Sequence, residues 1–376
     1  MNQIGQYFSK LYRRTDRLLL VLCLTCSVLS IALLWGIYLC DYIKLRVVVM
    51  QMVAVFMGFG AAMIISLIDY RSLANLWKFY MPLTAVLVML TYFFGIQRYS
   101  YVDDKAWLQI PLIGLQFQPS ELLKIAFVLA FALHLEKVKE SINDPRTLLL
   151  LCIHGAIPTG MVMLQGDHGT AMVFVSVFVC MLFVAGLNLR YVAVALAATV
   201  AVSPLIWFFI LDDNKRERIL AVWGAANDPL NAGYQQEKGI VAIGSGQLWG
   251  KGIFSGDHQF TPEMHNDFIF SFAGEALGFM GCCAIIALLA LLCLNFLLNA
   301  RRATDPLGRL ICVGVFGMIA FQVVWSIGMC LSLLPVAGLT LPLLSAGGTS
   351  VVTTWLAVGL VMSVHRFSYV GLFDGR

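Results

Sequence analysis

Long apolar runs separated by short polar segments dominate the chain. Because a helix needs about 20 mostly apolar residues to cross a bilayer, this pattern predicts about ten transmembrane helices. They are expected near residues 18–40, 46–68, 77–96, 119–136, 147–165, 170–188, 190–211, 267–298, 309–334 and 348–365. The predicted fold class is an all-α polytopic membrane protein, and the whole chain, 1–376, is expected to form one membrane domain.

Two polar segments are longer than the rest, 97–118 and 212–266, the second of them between the seventh and eighth predicted spans. An even number of spans places both termini on one side. Lys and Arg are more numerous in the segments on that side, so the positive-inside rule predicts cytoplasmic termini and an extracytoplasmic loop 212–266. Within the first segment, residues 107–117 are amphipathic and aromatic, which predicts a place at the membrane interface.

Composition narrows the function classes. Hydrophobic residues make up 60% of the 376 positions and charged residues only 12%, which excludes a soluble domain. The net charge of +4 is small and its basic residues flank apolar runs, so the pattern argues against a nucleic-acid partner. Most of the ten cysteines lie inside the apolar runs, which argues against a disulfide framework. No phosphate-binding loop or dinucleotide fingerprint stands in a suitable context.

Two charged residues fall inside the fourth predicted span. Glu121 and Lys124 are three positions apart, so on a helix they lie on one face within reach of each other. Pro119 and Ser120 are typical of a helix start. Ionisable groups at membrane depth are functional candidates, and the alternative is a neutralised pair that only fixes packing.

Two further stretches introduce polar or irregular backbone near the same predicted membrane level. Residues 165–170 form a tight turn that contains Asp167, which serves a site or simply caps the next helix. Residues 338–350, with Pro342 and paired glycines, predict a broken or re-entrant entry to the last span. Such backbone is tolerated only against protein or a water-filled cavity.

The stretch 261–270 joins the longest polar segment to an apolar run. It places Asp267 at a predicted membrane border, with Glu263 four residues before it and Glu275 eight residues after it. A carboxylate at a membrane border costs free energy, so a carboxylate in this position is expected to have a function. The alternative is that Asp267 is only a helix cap.

Several motifs occur in one order along the chain. They are Gln118-Pro119-Ser120-Glu121-Leu122-Leu123-Lys124, Asp167-x-Gly169-Thr170, Gly233-Tyr234-Gln235 followed by Ile243-Gly244-Ser245-Gly246 and Gly250-Lys251-Gly252, Pro262-Glu263-Met264-His265-Asn266-Asp267-Phe268-Ile269-Phe270, and Leu334-Pro335 followed by Leu341-Pro342-Leu343. With these motifs the sequence resembles the SEDS family (shape, elongation, division and sporulation), most closely its rod-shape branch, over essentially its whole length.

The resemblance implies a peptidoglycan glycosyltransferase that polymerises lipid II at the outer face of the bacterial cytoplasmic membrane, for cell elongation and shape. It implies a class B penicillin-binding protein, a transpeptidase, as partner. It makes Asp267 the catalytic aspartate and Glu121 and Lys124 a cavity-lining pair. Further candidate substrate contacts are Asp167, Gln235, Lys251, Glu263 and Ser345.

The chemistry implied is attack of a sugar hydroxyl on an anomeric carbon that carries a polyprenyl pyrophosphate. Asp267 would be the general base, and Lys124 and Lys251 would offset the pyrophosphate charge. A divalent cation, Mg²⁺ or Mn²⁺, is expected from the family resemblance only. The sequence itself identifies no metal ligands.

The chain departs from the family pattern at five positions without touching the aspartate: Asn266, Ala346, Ala106, Lys238 and Gly239. Two other functions stay open, a flippase for a lipid-linked precursor and a non-catalytic scaffold for a penicillin-binding protein. A flippase needs polar groups across the whole membrane, whereas the acids here gather near one predicted side. A scaffold would not need Asp267.

Overall fold

The computed structural model describes residues 15–96, 105–110, 115–211, 213–222 and 232–371. They form a helical bundle. Its helices are α1 (Arg17–Leu39), α2 (Leu45–Ile65), α3 (Tyr70–Asn75), α4 (Trp77–Phe94), α5 (Pro119–Lys137), α6 (Pro145–Leu164), α7 (His168–Ala185), α8 (Leu189–Leu205, continued by a π turn Ile206–Ile210), α9 (Asp213–Ala221), α10 (Ala232–Ser245), α11 (Ile269–Arg302), α12 (Pro306–Cys330) and α13 (Gly348–Gly371), with a short 3₁₀ turn at Lys139–Ser141.

Within these ranges nine helices are long and apolar enough to cross a membrane. The tenth predicted span is α5, which carries Glu121 and Lys124 and is mostly buried. Because protein surrounds it, its polar groups can be paired and its sequence need not be uniformly apolar. The opposite case is α8, which buries none of its residues in the bundle.

The two ends of the bundle are named here by Asp267, which directly precedes the start of α11, and by Arg302, the last residue of α11. The Asp267 end carries the start of α11, the end of α1 and the start of α13. The Arg302 end carries the opposite ends of these helices. The core between them is built from aliphatic and aromatic side chains of α1, α5, α11, α12 and α13, among them the fully buried Trp355, Phe127 and Phe296. All ten cysteines are free, as predicted.

The predicted span 267–298 is confirmed as α11, and the structure adds an interruption that the sequence did not predict. Its helix begins at Ile269 and is interrupted at Gly278, whose φ of 68° and ψ of −169° are not helical. Only glycine adopts such a backbone without strain. The nine residues before the break therefore form a separate half-helix directly after Asp267.

The long segment 212–266 is not a simple loop, because α9 and α10 lie within it. Helix α10 packs on the first half of α11. A Cβ at Gly239 would lie 2.9 Å from Ser271 Oγ and 3.0 Å from Phe268 Cδ1. One departure from the family pattern thus coincides with a close helix–helix approach.

The amphipathic segment 107–117 contains a β-hairpin, the exception to an all-α fold. Strands β1 (Leu108–Ile110) and β2 (Leu115–Phe117) are antiparallel, with Gln109 opposite Gln116. A bridge between Ile96 and Trp107 ties the hairpin to the end of α4. Its predicted position at a membrane interface stays a prediction.

Polar groups at the Arg302 end connect helices to one another. Asp305 caps α12 through Gly308 N (2.7 Å) and accepts from Tyr70 Oη (2.7 Å) and from the Arg71 guanidinium (2.6 Å). Burial opposes ionisation of Asp305, but the hydrogen bonds from Tyr70, Gly308 and Arg71 outweigh it and lower the pKa of its carboxyl. This carboxylate staples α3 to α12.

A second acid at the same end ties three helices together. Asp16 caps α1 through Leu19 N (3.0 Å) and accepts from Asn299 Nδ2 (2.8 Å). Asn299 in turn contacts His365 Nδ1 of α13 at 2.8 Å. Asp16 and Asn299 are both buried, so the network contributes to the packing of α1, α11 and α13.

Candidate active site at the Asp267 end

The predicted pair in α5 is formed. Lys124 Nζ lies 2.8 Å from Glu121 Oε1, and the two residues are only 1% and 5% exposed. Pro119 stands in the first turn of α5 and Glu121 follows in the same turn, as expected for a helix start. The pair confirms the contact that the three-residue spacing predicts. Whether it lines a substrate cavity stays a prediction.

Asp167 connects α5 to α7. One oxygen caps α7 by accepting from Thr170 N (2.9 Å), which confirms the capping alternative. The other oxygen accepts from Gln118 Nε2 at 2.6 Å, and the backbone N of Gln118 lies 3.4 Å from Thr349 Oγ1 of α13. Asp167 is therefore both a cap and a polar link next to the Glu121 pair.

The predicted irregular entry to the last span is confirmed. Residues 331–347 between α12 and α13 are non-helical, and positive φ angles occur at Ser332, Gly338 and Leu343. The second half of this segment is nevertheless buried, with Leu339, Leu341 and Leu344 each at most 3% exposed. Its irregular backbone is thus sheltered by protein, as that depth requires.

This segment, residues 331–347, separates the two aspartates of the site. At one side, a Cβ at Gly169 would lie 2.2 Å from the carbonyl oxygen of Ala337, so the start of α7 packs directly on it. At the other side, a Cβ at Gly338 would lie 3.9 Å from Asp267 Oδ2. Glycine at position 338 leaves the space beside the Asp267 carboxylate open.

Asp267 is half-buried and precedes α11 without capping it. The N-cap is Phe268, and no side chain caps the helix. The carbonyl oxygen of Asp267 accepts from Cys330 Sγ at 3.5 Å, at the end of α12. Asp267 therefore stands one residue before the N-cap position that the capping alternative would give it.

The backbone just before this acid is fixed by hydrogen bonds from residues 345 and 346. Ser345 Oγ donates to the carbonyl oxygen of Asn266 at 2.6 Å, and Ala346 N donates to the carbonyl oxygen of His265 at 2.8 Å. Asn266 Nδ2 donates to Glu263 Oε2 at 3.0 Å, and Glu263 itself has a φ of +56°. Strained backbone of this kind persists only where the surroundings hold it and is concentrated at functional sites.

The hydroxyl of Ser345 is 2% exposed, and it also accepts from Leu341 N at 2.8 Å. Its hydrogen bonds are made with protein, so in this structure Ser345 positions the residue before Asp267. Direct contact of Ser345 with substrate stays a prediction.

Gln235 is half-buried on α10. The neighbouring Gln236 is buried, and it donates to the carbonyl oxygens of Met329 and Leu334. That neighbour was missed, since a Gln-Gln pair does not indicate which of the two faces the bundle.

Lys251 forms an ion pair that the sequence did not indicate. Its Nζ lies 2.6 Å from Oε1 of Glu275, a fully buried carboxylate in α11. Glu275 also accepts from Ser245 Oγ (3.2 Å) and from Gln259 N (3.1 Å). That Lys251 offsets the pyrophosphate charge stays a prediction. The role of Glu275 was missed, although its place in Gly-Glu-Ala-Leu-Gly beside the Gly278 break could have indicated it.

The fit of a divalent cation can be judged from the donor set. Within the described ranges, no group of three or more His, Cys, Asp or Glu side chains could hold a metal ion. Asp267 lies beside the open space at Gly338, and Glu263, four residues before it, is a second half-buried carboxylate. Mg²⁺ characteristically binds through one or two carboxylates plus substrate phosphates. This donor set therefore fits a cation that arrives with a phosphorylated substrate.

Comparison with known proteins places this site in a family. Residues 13–370 match the model of the FtsW, RodA and SpoVE family, described as cell cycle protein. The chain is 33% identical over 296 residues to peptidoglycan glycosyltransferase MrdB of Escherichia coli (strain K12), covering 77% of this chain and 78% of that protein. It is 30% identical over 319 residues to stage V sporulation protein E of Bacillus subtilis (strain 168), covering 83% and 86%.

Two solved structures share the architecture. A chain from a peptidoglycan synthase complex, studied for its coordination of polymerization and crosslinking, superposes with a TM-score of 0.81 at 29% identity. The rod shape determining protein RodA of Thermus thermophilus superposes with a TM-score of 0.69 at 27% identity. Each match covers 94% of this chain and 98% of the other.

Proposed function

Because the chain belongs to the FtsW, RodA and SpoVE family of cell cycle proteins, we infer that it is a peptidoglycan glycosyltransferase that polymerises lipid II in the membrane. A relative from Geobacter metallireducens, 35% identical over 318 residues, is named probable peptidoglycan glycosyltransferase FtsW. The observation that carries the assignment to this site is the Asp267 carboxylate, which stands half-buried directly before a half-helix and beside the space at Gly338.

We propose that Asp267 is the general base. It takes the proton from the attacking sugar hydroxyl as that oxygen bonds to the anomeric carbon and the polyprenyl pyrophosphate leaves. Glycoside hydrolases need a second carboxyl group because their leaving group is a poor alkoxide. Pyrophosphate leaves readily when its charge is compensated, so one carboxylate suffices.

Compensation of the pyrophosphate charge needs a cation beyond the two predicted lysines. Lys124 and Lys251 are each paired with a buried carboxylate. A divalent cation held by Asp267 and by phosphate oxygens of the substrate would supply that charge compensation. Asp167 and Glu263 are proposed as further substrate contacts, and Gln235 as one from α10.

The proposed partner is a class B penicillin-binding protein, which would crosslink the strands that this chain polymerises. Support comes from the similarity to a chain of a peptidoglycan synthase complex that couples polymerization and crosslinking. The proposed role is cell elongation and shape, supported by the similarity to the rod shape determining protein of Thermus thermophilus.

The proposed orientation puts both termini in the cytoplasm and the Asp267 end outside. Asp257 is exposed at the Asp267 end and Lys139 is exposed at the Arg302 end. A membrane-impermeant thiol reagent applied to intact cells should label Asp257→Cys and not Lys139→Cys, each compared with the parent chain. The reverse pattern would invert the orientation.

The decisive test of the base is Asp267→Asn. Asparagine keeps the shape of the side chain but cannot accept the hydroxyl proton, so polymerisation of labelled lipid II should fall by about 10²- to 10⁴-fold. The variant should still purify folded and with its partner. Wild-type glycan chains from this variant would contradict the role of Asp267 as the general base.

A further inference from the structure

We propose that residues 246–254, named here the inserted segment, lie in the membrane interface at the Asp267 end, with Trp249 and Phe254 in contact with phospholipid. The sequence predicted this stretch only as part of the extracytoplasmic loop 212–266. Its backbone bonds, its depth along two helices and its exposed side chains argue for a position in the lipid.

The inserted segment replaces part of the helical hydrogen-bond ladder of α11. At the Gly278 break, the carbonyl oxygens of Glu275 and Ala276 lose their intrahelical partners. They accept instead from the backbone N–H groups of Lys251 and Gly252, each at 2.9 Å. The backbone N–H groups of Lys251 and Gly252 are therefore satisfied by α11.

The other side of the break is completed in the same way. Phe279 N donates to the carbonyl oxygen of Gln247 at 2.8 Å, and Met280 N donates to that of Leu248 at 3.2 Å. In an uninterrupted helix these two N–H groups would bond to residues 275 and 276. Backbone N–H and C=O groups must be hydrogen-bonded at membrane depth, and these four hydrogen bonds between the segment and α11 meet that requirement for the groups involved.

Helix α11 gives the first measure of depth. From Phe279 to Arg302 it is uninterrupted for about 24 residues, or about 36 Å. The hydrocarbon core of a bilayer is about 30 Å thick, and Arg301 and Arg302 belong at the opposite polar boundary. Phe279 thus lies near the edge of the core, and Leu248, which bonds to the next residue, lies at the same level.

Helix α1 gives an independent measure. A Cβ at Gly36 would lie 2.3 Å from the carbonyl oxygen of Ile253, so the segment touches α1 before that helix ends at Leu39. Gly36 is about 20 residues, or about 30 Å, from Arg17 at the other end of α1. Both helices therefore place the inserted segment at the same edge of the hydrocarbon core.

The side chains at this level are apolar and exposed. Trp249 is 76% exposed and Phe254 60%, and they continue the exposed apolar surface of Phe279 and Met280 on α11. Tryptophan is favoured at membrane interfaces, where its ring meets lipid and its N–H meets water. A bilayer surface fits this patch, and it would link the lipid to the half-helix that follows Asp267.

Tryptophan fluorescence in proteoliposomes tests the position. The chain has eight tryptophans, and the difference between wild type and Trp249→Phe isolates one of them. That difference signal should be quenched more by phospholipids brominated near the carbonyl end of the acyl chain than by aqueous iodide. Quenching by iodide that equals or exceeds the lipid effect would overturn the proposal.

A second fluorophore guards against a local change at position 249. In the Trp249→Phe background, Phe254→Trp should show the same preference for the shallow bromolipid. Lipids brominated near the methyl end should quench both signals less, and stronger quenching by them would overturn the interfacial depth. Since the readout is not activity, a failure here is distinguishable from a failure of the proposed reaction.

Discussion

The two ends of the bundle use acidic residues in opposite ways. At the Arg302 end, Asp16, Asp69, Asp144 and Asp305 each cap a helix with regular geometry. At the Asp267 end, Asp167 caps a helix, whereas Asp267, Glu121 and Glu275 do not stand at N-cap positions. One end uses its acids to terminate helices, and the other keeps acids that helix termination does not explain.

The two ends of the bundle also differ in backbone conformation. In the described ranges, all non-glycine residues with positive φ lie at the Asp267 end: Asp41, Gln247, Glu263, Ser332 and Leu343. Each such conformation costs about 1–3 kcal/mol and persists only when the surroundings enforce it. The difference teaches that the Arg302 end is built from regular helix ends, whereas the site is built from costly backbone that hydrogen bonds from other segments hold in place.

The largest effect expected from this comparison is at the buried pair Glu121 and Lys124. Replacing either alone, as in Glu121→Gln or Lys124→Met, leaves a buried charge and should lower the free energy of unfolding by about 3–5 kcal/mol. The double replacement should cost less than the sum of the two. Thermal unfolding in detergent with a double-mutant cycle measures this coupling.

The matched control is the half-exposed pair Arg71 and Asp305 at the Arg302 end, whose side chains are 46% and 22% exposed. Its coupling should be about 1 kcal/mol or less, because solvent screens it. Equal coupling at the two ends would break the comparison.

A smaller effect should separate two buried serines. Ser345 holds the carbonyl oxygen of Asn266 beside Asp267, while Ser363 holds that of Ile68 at the Arg302 end, each at 2.6 Å. Each Ser→Ala change should cost about 1 kcal/mol of stability. Only Ser345→Ala should also reduce polymerisation, by about tenfold if a comparable energy is lost from the transition state. A similar loss of activity in Ser363→Ala would show that general stability, not position, controls the rate.

The smallest effect concerns pH and Asp305. The pKa of its carboxyl is lowered in the folded state, so the carboxylate contributes stability above its unfolded pKa and loses it as the pH falls through the folded pKa. At neutral pH the free energy of unfolding of Asp305→Asn should therefore be lower than that of wild type, by less than about 1 kcal/mol. The difference should shrink at acidic pH, and polymerisation at neutral pH should be unchanged. A difference that grows on acidification would contradict the sign.

The sequence by itself determined the membrane bundle, because spans of about 20 apolar residues have no other stable environment. It also determined the Glu121 and Lys124 contact, since a spacing of three on a helix places both on one face. The family motifs drew attention to Asp267. These are local properties, set by composition and by short spacing.

Only the tertiary structure decided how distant segments meet. It placed residues 331–347 between Asp167 and Asp267, paired Lys251 with Glu275, and broke α11 at Gly278. A hydrogen bond between residues far apart in the chain has no local signature, because its partners are chosen by packing. For the same reason, the sequence predicted the inserted segment only as part of the extracytoplasmic loop 212–266. In the fold, its backbone forms hydrogen bonds with α11, a helix long and apolar enough to cross the membrane.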